Sequence, residues 1–166
     1  PRTSSAASDV YKRQTLVDTG ESTLTGGRLL KVSHFLDPGE SFCFTYGDGV
    51  ADININQLVD FHRAHGKLAT VTAVRSPGRY GALRLGDCNQ VDEFSEKTEG
   101  ERSWINGGFF VLNYQVLERI NGDQSSWEGE PLASLSRDKK LRAYKHEGFW
   151  QPMDTLREKN LLNNLW

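Results

Sequence analysis

The 166 residues suffice for one domain of ordinary size, and an apolar fraction of 37% beside 25% charged residues excludes an intrinsically disordered chain. Twenty Lys and Arg against twenty-two Asp and Glu leave a net charge of −2, so no global field directs the protein to nucleic acid or an anionic membrane. Two cysteines, Cys43 and Cys88, form neither a disulfide framework nor a zinc site, and no apolar run is long enough to span a bilayer. Cys43 lies inside an aromatic run and reads as a small core residue.

Residues 1–14, PRTSSAASDVYKRQ, lack apolar periodicity and read as a non-matching leader; the domain pattern starts at Thr15. Residues 42–46 form a short aromatic run expected to be a buried strand, closed by the Gly47-Asp48-Gly49 turn. Asn54 and Gln57 have capping-box spacing, Ile53 and Leu58 have hydrophobic-staple spacing, and Gly66 suits the stop of the helix between. Ile55, Leu58, Val59 and His62 share one face of that helix, where His62 and His65 read as packed or solvated rather than as metal ligands. Residues 69–74 predict a second buried strand, which completes a strand–helix–strand unit of a parallel sheet. Residues 81–85 and 91–95 predict a hairpin at the edge of that sheet. Residues 107–112 predict another strand, after which Asn113 is placed to cap a short helix. Pro131 fits a helical first turn, residues 141–145 alternate as a strand, and Thr155 with Glu158 forms a second capping box. That last helix carries Leu161, Leu162, Leu165 and Trp166 as its apolar positions. This order of elements predicts an α/β fold with a mostly parallel sheet and an antiparallel addition.

Five segments can carry chemistry. In open α/β sheets ligands bind beyond the carboxyl ends of strands, so Asp48 between two glycines is placed to hold a divalent metal on phosphates, although Gly-Asp-Gly is also a common plain turn. Thr25-Gly26-Gly27-Arg28 offers exposed N–H groups and a forked cation for phosphate, or else is a solvated turn before a helix. Asp154 is either a first-turn acid favoured by a helix dipole or a second metal carboxylate. Glu96 and Lys97 follow a strand, where they suit a sugar hydroxyl and a phosphate but equally form a surface charge pair. Asn106 and Gly107 enter a strand and offer an amide with close backbone approach, or a β-bulge. Nothing has the spacing of an activated serine or cysteine nucleophile.

Taken in order, TLVDTG with TGGR, FTYGDGVAD, DFHRAHGK, PGRYGAL, EFSEK, WINGGFFVLN and GFWQPMDTLRE resemble the sugar-1-phosphate nucleotidyltransferases, over residues 15–166. The TGGR, INGGFFV and FWQPMDT strings favour the cytidylyl subgroup. The resemblance implies a Rossmann-like, GT-A-like fold: a mixed, mostly parallel sheet flanked by helices. It implies magnesium carboxylates at Asp48 and Asp154, nucleotide contacts at Thr23, Arg28 and Gly47, and sugar-phosphate contacts at Gly81, Glu96, Lys97, Asn106 and Gly107. Catalysis would fall to Arg28, Asp48, Lys97 and Asp154. The implied reaction joins CTP and α-D-glucose 1-phosphate into CDP-glucose and pyrophosphate with Mg²⁺. Its setting would be the cytoplasm, and its product would feed dideoxy sugars of O antigen and other surface polysaccharides. The family opens with a strand and a loop of the form L-x-G-G-x-G-T-R followed by a lysine, and neither is present here. The chain is therefore expected to be N-terminally truncated, to lack the first strands of its sheet, and to be inactive alone, while the full-length form is expected to be a homo-oligomer. Two other readings compete: a nucleotide-sugar-dependent glycosyltransferase, against which the missing Asp-x-Asp counts, and a non-catalytic sugar-phosphate-binding module.

Overall fold

The computed structural model describes residues 14–75, 82–85, 91–95 and 104–165. In chain order these form α1 (Thr25–Lys31), β1 (Ser41–Thr45), β2 (Gly49–Ala51), α2 (Ile55–His65), β3 (Ala69–Arg75), β4 (Ala82–Leu85) and β5 (Val91–Ser95). They continue with β6 (Trp104–Asn113), α3 (Glu130–Arg137), β7 (Leu141–His146), β8 (Trp150–Pro152) and α4 (Leu156–Leu165). Among the described residues no helix is long and apolar enough to cross a membrane.

The principal sheet has the order β1-β6-β3-β7. β6 is antiparallel to both β1 and β3, whereas β3 and β7 are parallel, so β1, β3 and β7 point one way and β6 runs against them. The mixed sheet flanked by helices is the expected fold class. The expected strand–helix–strand unit is present as β1–α2–β3: the two strands share a sheet and a direction, and β6 lies between them. Its stretch from Gly107 to Leu112 is nearly continuously buried, which suits a strand paired on both sides and covered on both faces. The expected hairpin is present as the antiparallel β4–β5 pair, but as a separate two-stranded sheet. A further ribbon, β2 with β8, pairs segments of three residues each, too short for any periodicity to announce.

One face of the sheet packs Phe110, Leu112 and Ala69 against Leu29, Val116, Leu117, Trp127 and Leu135. Trp127 is wholly buried and meets Phe44 and Phe110 edge-on, with ring centroids 6.1 and 5.9 Å away. β1 is less buried than its sequence suggests. Phe42 and Phe44 are half-buried toward this core, while Cys43 is exposed, contrary to the core role expected of it. The reason lies on the opposite face, where α2 packs over β3, β6 and β7 and meets β1 at Ser41. Cys43, on the same face, lies outside that footprint.

The Thr155–Glu158 capping box forms in both directions, while at α2 only the Asn54 side chain caps and Gln57 Oε1 instead accepts from the Tyr144 hydroxyl at 3.4 Å. The Gln57 N–H donates to Asn54 Oδ1 at 3.1 Å, and Gly66 ends α2 in the left-handed region at φ +61°. At α4 the Glu158 N–H donates to Thr155 Oγ1, and the Thr155 N–H donates to the Glu158 carboxylate at 2.9 Å. Pro131 sits in the first turn of α3. Asn113, however, does not cap the 3-10 helix Tyr114–Arg119 that follows it. Its side chain is drawn into a polar circuit under α2 instead. The Lys67 N–H donates to His65 Nδ1 at 2.9 Å, so neutral His65 carries its proton on Nε2 and donates to Thr70 Oγ1 at 2.8 Å. Thr70 then donates to His62 Nδ1 at 2.8 Å, and His62 Nε2 donates to Asn113 Oδ1 at 2.9 Å. The Asn113 amide closes the circuit on the Lys67 carbonyl at 3.4 Å. Both histidines are packing residues, and every polar atom in the ring has a partner of the right kind.

Candidate functional site

Strand β1 delivers Tyr46-Gly47-Asp48 at its carboxyl end and passes directly into β2. In the β2–β8 ribbon Gly49 stands opposite Pro152 and Ala51 opposite Trp150. The Met153 N–H donates to the Asp48 carbonyl at 2.8 Å, which extends the antiparallel register one step. That register brings the loop bearing Asp48 and the first residues after β8, Asp154 included, to one end of the ribbon. Both aspartates are exposed. Among the described residues no group of three or more His, Cys, Asp or Glu could by itself hold a metal ion. Two carboxylates fit the demand of Mg²⁺, which takes one or two and fills its octahedron with phosphate and water oxygens.

Beside this end lies a cavity of about 600 Å³, bounded by Thr25, Arg28, Leu29 and Val32 of α1, by Phe44 to Asp48, and by Thr19 and Glu128. Arg28 and Gly47 therefore line it with Asp48. The Arg28 guanidinium is held in place by bonds to Thr19 Oγ1 at 2.5 Å and to the Glu21 carbonyl at 3.1 Å. Thr23 lies elsewhere: it is buried, donates to the Thr19 carbonyl at 2.6 Å, accepts from Lys31 Nζ at 3.1 Å, and is absent from the cavity wall.

The glycines of TGGR serve a different end from the one expected. They form the first turn of α1, and the Gly27 N–H is committed to the Ser125 carbonyl at 3.1 Å. A Cβ on Gly26 would stand 2.7 Å from the Ser125 carbonyl oxygen, and one on Gly27 would stand 2.6 Å from that of Asp123. They are small so that α1 can lie on the backbone of residues 123–127, not to cradle an anion.

Asn106 and Gly107 occupy an irregularity in β6, where the pairing with β3 shifts between Val71 and Ala73. Gly107 is buried against Val74, and its carbonyl accepts from Trp150 Nε1 at 2.8 Å. Gly108 has φ +78° and lies under the ring of Tyr46. The bulge turns the Asn106 side chain toward Tyr46, where Nδ2 donates to the phenol oxygen at 3.2 Å. Close by in the register, the Arg75 guanidinium stands 4.0 Å over the Trp104 ring, with Lys145 Nζ at 5.4 Å. Gly81, Glu96 and Lys97 lie outside the described residues.

One residue of this site went unmarked in the sequence. Glu128 lines the cavity and accepts from Thr25 at 2.7 Å and from Ser126 at 2.6 Å. Burial alone would raise its pKa, but hydrogen bonds from Ser126, Tyr46 and Thr25 pull it below the ordinary carboxylate value. Tyr46 is shifted upward, first by burial and then by its hydrogen bond to Glu128. No local pattern could have revealed Glu128, because its partner Thr25 is 103 residues away in the chain.

The profile of the nucleotidyl transferase family matches residues 16–153. Glucose-1-phosphate cytidylyltransferases of Salmonella typhi and Salmonella typhimurium are 55% identical to the chain over 152 residues, covering 92% of the chain and 59% of each relative. The chain thus spans about three-fifths of the length of these relatives. Among solved structures, HddC from Yersinia pseudotuberculosis complexed with GMP-PN superimposes with a TM-score of 0.64 over 96% of this chain and 73% of that one. At 16% identity that likeness speaks for the fold alone.

Proposed function

The chain belongs to the nucleotidyl transferase family, and from that premise we propose that it carries the metal- and sugar-phosphate-binding part of a cytidylyltransferase. The reaction is transfer of the cytidylyl group of CTP to α-D-glucose 1-phosphate, yielding CDP-glucose and pyrophosphate. The geometric observation that carries this reading is the β2–β8 register, which sets Asp48 and Asp154 at one end of a ribbon beside a cavity lined by Arg28. The choice of base and sugar rests on the 55% identity to the Salmonella enzymes of that name.

In the proposed mechanism a phosphate oxygen of glucose 1-phosphate attacks the α-phosphorus of CTP in line, and pyrophosphate leaves. A phosphate monoester is already a competent nucleophile, so no strong general base is needed, in keeping with the lack of any activated-nucleophile pattern. Asp48 and Asp154 would hold Mg²⁺, whose charge, when bound, offsets that of the phosphates. Arg28 and Lys97 add positive charge, and Gly47 lets the nucleotide approach the backbone. Thr23 contributes by fixing Thr19 and Lys31, while Asn106, Gly107, Gly81 and Glu96 contact the sugar phosphate. Rate enhancement then comes from alignment and charge neutralisation. A cytoplasmic homo-oligomer supplying activated sugars for surface polysaccharides completes the reading.

Calorimetry of the chain with glucose 1-phosphate, and separately with CTP and Mg²⁺, tests it directly, alongside assay of CDP-glucose and pyrophosphate. Binding of glucose 1-phosphate is the expected outcome, with any transfer favouring CTP over UTP and dTTP. Failure to bind either substrate, or a preference for another base by a wide margin, would sink the assignment.

A further inference from the structure

At the β6 bulge the Asn106 amide makes two hydrogen bonds, and the mechanism above makes no use of either. The Tyr46 phenol oxygen receives Asn106 Nδ2 at 3.2 Å. The other end of the amide, Oδ1, accepts the Gly108 N–H at 2.8 Å.

These bonds decide which way the amide faces. With its oxygen committed to Gly108 and one N–H to Tyr46, Asn106 keeps a single N–H to offer a ligand, so the group it meets must be an acceptor such as a phosphate or hydroxyl oxygen. The Tyr46 ring does not depend on its hydroxyl for its place. It packs at right angles to Phe44, at 5.9 Å, and edge-on to Phe110, at 5.7 Å, and it covers Gly108, where a Cβ would lie 2.7 Å from the ring.

We propose that Tyr46 is a positioning residue for Asn106: its hydroxyl, held in place by the packed ring, presents the Asn106 amide in one orientation to an acceptor oxygen of the sugar phosphate. The ligand in this statement rests on the proposed function; the orienting of Asn106 does not.

Tyr46→Phe removes the hydroxyl and keeps the ring. The first readout is nuclear magnetic resonance of the Asn106 side-chain amide in the free protein. Its order parameter is expected to be close to that of rigid backbone, about 0.85, in the parent and to fall below about 0.6 in the variant. The second is a double-mutant cycle on glucose 1-phosphate affinity. Tyr46→Phe is expected to weaken binding by about five- to tenfold with Asn106 in place, and to add nothing once Asn106 is alanine. An Asn106 amide that stays ordered in Tyr46→Phe overturns the proposal, as does an equal loss with and without Asn106. If the parent binds no glucose 1-phosphate, the proposed function fails while the amide measurement still decides the positioning role. Circular dichroism of each variant separates both results from misfolding.

Discussion

The Met153 N–H donates to the Asp48 carbonyl across 2.8 Å, and through this bond the residue that begins the α4 approach, Asp154, is tied to the loop at the end of β1. Two carboxylates more than a hundred positions apart thereby come to one end of a short ribbon.

On the proposed function, in which Asp48 and Asp154 hold Mg²⁺, the two aspartates are interdependent in metal binding but not in folding. Asp48→Asn and Asp154→Asn are each expected to weaken Mg²⁺-dependent CTP affinity by about tenfold or more, since each removes one of at most two protein carboxylates. Both side chains are exposed, so thermal stability should change little. Calorimetry at several Mg²⁺ concentrations, with parallel melting curves, checks both halves. Loss of metal dependence in only one variant would show that the other carboxylate is not a ligand.

The glycines of α1 give a contrast within one residue type. At Gly27 an added Cβ meets backbone atoms of Asp123 within 2.7 Å, and backbone cannot step aside. Gly27→Ala is expected to cost about 1–3 kcal/mol or more in urea denaturation, as overpacking does. At Gly66 a Cβ meets nothing within 4 Å but the residue has φ +61°. Gly66→Ala should therefore cost only the left-handed strain, about 1–2 kcal/mol. If the two variants rank the other way, α1 does not lie on residues 123–127 as described.

Trp127 tests the core. The side chain is fully buried, yet its Nε1 has no hydrogen-bond partner among the described residues. Trp127→Ala should cost about 3–5 kcal/mol through lost burial and a cavity. Trp127→Phe should cost markedly less, because removing an unpaired buried donor returns about 1–3 kcal/mol. Equal losses in the two variants would mean that the indole N–H is in fact satisfied.

The circuit under α2 predicts a pH dependence of stability. Burial holds the His65 pKa below the usual histidine value, and the neighbouring positive charges of Arg142 and Lys67 push the same way. A proton on Nδ1 would also face the Lys67 N–H, a second donor. The folded state thus favours neutral His65. Its contribution is fully present above the unfolded histidine pKa of about 6.5 and is lost as pH falls from there toward the lower folded value. Melting temperatures of the parent should drop between pH 7 and pH 5 more steeply than those of His65→Asn, which retains an acceptor for Lys67 but cannot titrate there. Parallel slopes would exclude His65 as a source of the dependence.

Much of the local architecture was readable before any folding. The Asn54 cap, the Thr155–Glu158 box, the Gly66 stop, Pro131 in a first turn and the β-branched run of β3 all appear where their residue types place them. Each depends on atoms within four positions of one another, so propensity and hydrogen-bond geometry suffice. Asp48 was likewise legible, because a carboxylate between glycines after an apolar strand is itself a local pattern. Cys43 and Asn113 were misread for the opposite reason: the reach of α2 decides that one is exposed and the other drawn away from its helix, and that reach is a property of packing.

Chemistry within a turn's length was therefore determined by the sequence alone: which segments are helices or strands, where they stop, and which acid follows β1. Only the tertiary structure decided that β6 lies between β1 and β3, that β2 and β8 join Asp48 to Asp154, and that Tyr46 stands beside Asn106. Those relations depend on which apolar faces bury each other and on the register in which distant backbones pair. That register is chosen by the whole core at once, and no short stretch of residues contains it.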